Sequence, residues 1–291
     1  MIKTGIYYAY WTRDWDADFV PFISRVKKLG FDILEVNAGT ICHLSSDDQK
    51  LLEQTALQHD VELSCCIGLP PTSDIASKDA AVRREGINHL GRIADAMNNC
   101  GIKKLSGIIY SSWPGKLDGR GITKSRALAL SIESMKEAVK KAEDLDLFYN
   151  LEVVNRFEQF LLNTSLEAVE YVEEVGSPNL KILLDTFHMN IEEDSFTEAI
   201  KTAGNKLGHL HLGENNRRPP GTGTMAWDEI FRALKAIDYD EWVVMEPFLN
   251  PGGEVGRDIS VFRDIMPGAK LDIEAEKSCS FIKKTILNIY S

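Results

Sequence analysis

Eight short apolar, β-rich runs recur along the chain, each separated from the next by residues with helical patterning. They are "GIYYAY" from residue 5, "DILEV" from 32, "ELSCCIGL" from 62, "KKLSGIIY" from 103, "LFYNLEVV" from 147, "KILLDT" from 181, "LGHLHLG" from 207 and "EWVVMEP" from 241. Between them, segments such as "FVPFISRVKKLG" and "SRALALSIESMKEAVKKAEDL" space their apolar residues so that they share one side of a helix. Gly30 stops the first of these, at a position suited to a helix C-terminus. The runs begin about every 34 residues, the size of a βα unit. Eight such units predict an α/β chain folded as a single (β/α)8 TIM barrel. A doubly wound sheet is the competing arrangement, but its first βα turn often carries a glycine-rich fingerprint, whereas "YYAYWTRDWDADF" has no glycine. No Pro/Gly/Ser-rich linker or low-complexity tract divides the chain, so residues 1–291 are expected to form one domain. The tail "KLDIEAEKSCSFIKKTILNIYS" is expected to close it as an amphipathic helix.

Composition narrows the function classes. Hydrophobic residues make up 44% and charged residues 26% of the 291, the balance of an ordinary globular protein. A formal net charge of -11 repels polyphosphates and anionic surfaces, which argues against nucleic acid and membrane as partners. Five cysteines, odd in number and without CxxC spacing, argue against a disulfide framework and a zinc-thiolate site. A reduced cytoplasmic setting is expected, because "MIKTGIYYAYW" lacks an apolar stretch behind a basic start and no apolar run approaches the roughly 18 residues of a membrane span.

In a TIM barrel the chemistry sits at the C-terminal ends of the strands. Run five leads to Glu152, run six to Asp185, run seven to His211 and run eight to Glu246. Alternation along a strand turns His209 and His211 to the same face, with His211 nearer the mouth. Three carboxylates and an imidazole form a mainly hard-oxygen donor set, suited to Mn²⁺, Mg²⁺ or Co²⁺. A single carboxylate at a strand end often only caps the next helix or pairs with a cation, and Glu35, alone at the end of run two, is read in that structural way. Four such groups on consecutive strands favour a shared site. Arg156, Glu158, Glu214, Arg217 and Arg218 lie in the loops beyond, and Glu214 and Arg218 fit a solvated loop as well as a site. "GTGT" after run seven marks a turn more often than a phosphate cradle. Tyr7, Trp15 and Trp113 lie at or beyond the ends of runs one and four, placed equally for stacking on a sugar or for core packing.

"NLEVVNRFE", "LLDTFHMNIEED", "GHLHLGENNRR" and "VVMEPF", together with "GIYYAYW" and "GFDILEV", resemble the ketose 3-epimerase family, which includes the D-tagatose and D-psicose (D-allulose) 3-epimerases. The resemblance covers residues 5 to about 262 and implies a xylose-isomerase-like TIM barrel. It implies that Glu152, Asp185, His211 and Glu246 hold one divalent ion per subunit, Mn²⁺ first, with Co²⁺ or Mg²⁺ as alternatives. It also makes Glu152 and Glu246 the acid/bases that epimerise C3 of a free ketohexose through a cis-enediolate, with Glu158, His188 and Arg217 on the oxygens around the ketose carbonyl. A homodimer or homotetramer is the implied assembly. "CIGLPPTSDIAS" and "SGIIYSSWPGKLDGR" depart from the family pattern where the distal sugar carbons would lie, so the preferred ketose is left open.

Other readings compete. An aldose-ketose isomerase of the xylose-isomerase type would use a related barrel, and a ketose phosphate is a variant drawn from Arg217, Arg218 and "GTGT". An endonuclease IV-like enzyme calls for more histidines than six and for a basic groove. A non-catalytic sugar-binding protein would need no base on each face of its ligand.

Overall fold

The computed structural model describes residues 2–119 and 121–291; Arg120, the last residue of the divergent segment after run four, lies outside the described residues. The eight runs become β1 (Lys3–Tyr7), β2 (Ile33–Asn37), β3 (Glu62–Cys66), β4 (Lys104–Gly107), β5 (Phe148–Val153), β6 (Leu180–Asp185), β7 (Leu207–Leu212) and β8 (Trp242–Met245). All pair in parallel in sequence order, and β8 returns to β1, closing a TIM barrel. The predicted helices form at Val20–Lys28 and Lys124–Asp144. Gly30 ends the first of them in the left-handed region at φ 87°, a conformation that costs glycine little because it has no Cβ.

Aliphatic residues on the outer faces of the strands pack against the helices, with Leu34, Ile182, Leu184 and Leu210 fully buried. The C-terminal helix, Leu271–Tyr290, buries Ala275, Cys279 and Ile282 along one side, and its Phe281 meets Trp227 edge-on at 6.2 Å between ring centres. No helix among the described residues is long and apolar enough to cross a membrane.

The lumen differs from the branched aliphatic layers common in such barrels. Glu35, Ser64, Ser106, Asn150 and His209 are buried in it. Between β6 and β7 the register shifts: Ile182 pairs with Leu207, but Leu183 pairs with His209. Gly208 is the additional residue of this bulge, and a Cβ there would lie 2.3 Å from Asn150 Oδ1. The shift brings Asp185 level with His211.

Candidate active site

Glu152 lies near the end of β5, Asp185 ends β6, His211 is the penultimate residue of β7, and Glu246 follows β8 directly. Adjacent parallel strands carry them around one side of the mouth. One donor atom from each lies within 4.8 Å of all the others, and all four residues are buried. His211 Nδ1 stands 3.5 Å from Glu152 Oε1 and 3.6 Å from Glu246 Oε2, buried and without a hydrogen bond. An unpartnered nitrogen ringed by carboxylates fits a divalent cation, as does the oxygen-rich donor set. The other ring nitrogen, Nε2, lies 2.7 Å from Glu35 Oε1.

Electrostatics separate the carboxylates. Burial pushes the Glu152 carboxyl up to about 7, with Glu246 and Asp185 adding to the rise and His211 opposing it. Burial also acts on Asp185, but His188, Arg217 and His211 outweigh it and hold that carboxyl below its usual range. For His211, burial disfavours the charged ring, yet Glu246, Glu35 and Glu152 together raise it well above the usual histidine value.

Asp185 also caps the helix Thr186–Glu192, its Oδ1 accepting from the Phe187 N–H at 2.6 Å. That short turn brings His188 back over the strand end, with Nε2 3.9 Å from Asp185 and 4.0 Å from Glu152. His188 Nδ1 accepts from the Asn155 backbone N–H at 3.2 Å, and burial lowers the imidazole below its usual value. The acidic run that follows serves packing. Glu192 accepts from the side chain and backbone of Arg156, and Glu193 takes the Ser165 N–H at 2.6 Å. One sequence stretch therefore supplies a carboxylate to the four-residue cluster, a facing imidazole and two clamps on neighbouring segments.

Arg217 adopts φ 62°, a strained value for a residue with a side chain. Its guanidinium donates to Asp185 Oδ2 at 3.2 Å and Glu246 Oε2 at 3.3 Å, and lies 3.9 Å from the centre of the Phe187 ring. Glu158 is 3.5 Å from the same guanidinium and accepts from Trp113 Nε1 at 3.1 Å. Tyr7, Trp15 and Trp113 line a cavity of about 320 Å³ that also touches Glu152, Glu158, His188, Arg217 and Glu246. Trp15 meets Trp113 edge-on at 6.2 Å and donates to Asp258 at 2.8 Å. The expected cation-set and substrate-contact residues, Glu152, Asp185, His211 and Glu246 with Glu158, His188, Arg217, Tyr7, Trp15 and Trp113, are thus in or beside one cavity.

Other expectations change. Glu35 does not stand alone, since it reaches across the lumen to His211. Glu214 is fully buried, not solvated: it accepts from Gly221 N, Met225 N and Trp227 Nε1 at 2.8, 3.1 and 2.9 Å. Arg218 donates to the Ile265 carbonyl at 2.8 Å. "GTGT" therefore belongs to a turn wrapped around Glu214, because the Gly221 N–H is already taken. Asn155, Phe187, Phe248 and Cys66, which sequence patterning did not single out, also build the site or its walls.

Residues 23–265 match the xylose isomerase-like TIM barrel family. The chain is 43% identical over 284 residues to D-psicose 3-epimerase of Agrobacterium fabrum, covering 96% of this chain and 98% of that one. It superposes with a TM-score of 0.95 on a crystal structure of D-psicose 3-epimerase in the presence of D-fructose, at 42% identity, covering 98% of this chain and 99% of that chain. The D-psicose 3-epimerase of Clostridium cellulolyticum H10, solved with D-tagatose, gives 0.96 at 41% identity, with coverage of 98% and 99%. The chain belongs to the xylose isomerase-like TIM barrel family and, within it, to the ketose 3-epimerases.

Proposed function

We propose that this protein is an isomerase that inverts C3 of a free ketohexose, of the D-psicose/D-fructose or D-tagatose/D-sorbose type, by moving a proton between two glutamates. The observation that carries the reading is the convergence of two glutamates, Glu152 and Glu246, on His211 Nδ1, at 3.5 and 3.6 Å, in one buried site. Inversion next to a carbonyl needs a base on one face of the carbon and an acid on the other. One glutamate takes the C3 proton, the C–H electrons move into the C2 carbonyl to give a cis-enediolate, and the other glutamate returns a proton to the opposite face. In the metal-free site burial pushes the Glu152 carboxyl up to about 7, and a cation held beside it would favour the ionised form that takes the proton.

His188 and Arg217 face the same space and would donate to the sugar's O2 as negative charge grows there. Glu158 holds the Arg217 side chain and the Trp113 ring in place. Glu152, Asp185, His211 and Glu246 would hold the divalent ion, Mn²⁺ first and Co²⁺ or Mg²⁺ next, which when bound polarises the carbonyl and acidifies the C3 proton. The phosphate variant loses its support, because Arg218 is bonded to Ile265 and the Gly221 N–H to Glu214.

The deciding experiment incubates the Mn²⁺-loaded protein with D-fructose, D-tagatose and D-psicose in D₂O and locates deuterium by NMR. Deuterium at C3 with formation of the C3 epimer is expected. An aldose product with rearrangement at C1 and C2 would replace this reading with the isomerase of the xylose-isomerase type.

A further inference from the structure

Glu35 is a buried carboxylate to which the proposed reaction gives no task. It stands in β2, level with Tyr7 and Ser64 on the neighbouring strands, and is fully buried. Its Oε2 accepts from Ser64 Oγ at 2.8 Å, and its Oε1 lies 2.7 Å from His211 Nε2. His209 Nε2 is 3.2 Å from Oε2 but lacks the alignment of a hydrogen bond. The contact with His211 crosses the lumen from β2 to β7, strands that are not neighbours in the barrel.

The chemistry of the three groups fixes their roles. An ionised carboxylate only accepts, so the His211 nitrogen facing Glu35 keeps its hydrogen. A ring held in that way has Nδ1 as the nitrogen free to give its lone pair to a cation. Nδ1 is the atom directed at Glu152 and Glu246, and it has no hydrogen-bond partner. A histidine that binds a cation is commonly oriented by a carboxylate on its other nitrogen, and loss of that carboxylate weakens the cation site.

We propose that Glu35 is a positioning residue: by accepting the Nε2 hydrogen of His211 it locks the ring with Nδ1 turned to the cation set, an inference that rests on the divalent-cation reading above. It also gives the buried charge of Glu35 a partner in the lumen, where an unpaired carboxylate would be strongly disfavoured.

The test compares metal-free wild type, Glu35→Gln and Glu35→Ala by calorimetric titration with Mn²⁺, with thermal unfolding of each metal-free form recorded beside it. Glu35→Ala is expected to weaken Mn²⁺ binding by about 10- to 100-fold. Glu35→Gln should fall between, because its amide oxygen still accepts from Nε2. In the Mg²⁺-loaded wild type, ¹⁵N spectra should show the His211 hydrogen on Nε2. Unchanged Mn²⁺ affinity in both folded variants, or a hydrogen on Nδ1, overturns the role of Glu35. A wild type that binds no divalent cation overturns the cation reading itself, so the two failures are distinguishable.

Discussion

Strands β5 to β8 bring Glu152, Asp185, His211 and Glu246 within 4.8 Å of one another, whereas β1 to β4 and their loops present Trp15, Ile67, Pro70, Pro71, Ile108 and Trp113 to the same cavity. The second half gathers the carboxylates that face the cavity, and the first lines it mainly with surfaces for contact. Under the proposed function, proton transfer belongs to the second half and the fit of the distal sugar carbons to the first. The two families of side chains should then respond differently to substitution.

The sharpest test of that division is Glu246→Gln or Glu152→Gln. Either should lower kcat by about 10² to 10⁴-fold, the usual weight of a general acid or base, with metal content measured alongside. Retained turnover in a metal-replete variant would remove that glutamate from proton transfer. Chelation should likewise abolish C3 exchange, and Mn²⁺ or Co²⁺ should restore it; full activity in a preparation shown free of metal would end the cation model.

A smaller effect is expected from Glu214→Gln, which leaves the backbone donors of the 214–225 turn facing an amide nitrogen. The turn carries Arg217 at its strained φ of 62°, so kcat/KM should drop by roughly tenfold, about the cost of a misplaced charged hydrogen bond. If Glu214 acts through Arg217, the loss should vanish in an Arg217→Ala background. Full additivity of the two losses would show that the turn serves something else.

The pH dependence of cation binding should be comparable in size. Glu152 ionises at about 7, and His211 is raised as well, so below that pH both hold protons that a cation must displace. Mn²⁺ affinity of the metal-free protein should therefore rise with pH through neutrality, by at most about tenfold per pH unit for each proton released. A flat profile across pH 6 to 8 would contradict the raised Glu152. Smallest of all should be Ile108→Ala in the first half. Relative kcat/KM among ketoses should shift by roughly 10-fold or less, with C3 exchange intact; a collapse of exchange would break the division between the halves.

The barrel could be read from the sequence because eight β-rich runs and their spacing depend on local pattern. The cluster of Glu152, Asp185, His211 and Glu246 could be read because each member ends an apolar run, where this fold gathers its chemistry. What escaped depends on distance in the chain. Glu35 and His211 are 176 residues apart, and no local period connects β2 with β7. Glu214 fits a loop charge as well as a site residue in the sequence, because its burial arises only when Gly221, Met225 and Trp227 fold back over it. Asn155 acts on His188 through its backbone N–H, which every residue but proline possesses, so no side-chain motif could mark it.

The bulge at Gly208 carries a consequence for heredity as well as for shape. Were Gly208 to take a paired place in an unbulged ladder from Ile182 and Leu207, Asp185 would lie beside Leu210, and every side chain of β7 from His209 on would exchange lumen for helix layer. Loss of the Gly208 codon would nevertheless keep both histidines in the lumen, with Leu183 still beside His209 and Asp185 beside His211, because the bulge is where β7 holds one residue more than its partner. The position of His211 in the site is set by a parity counted from His209 onward, one that substitution cannot alter and into which the residue at 208 does not enter.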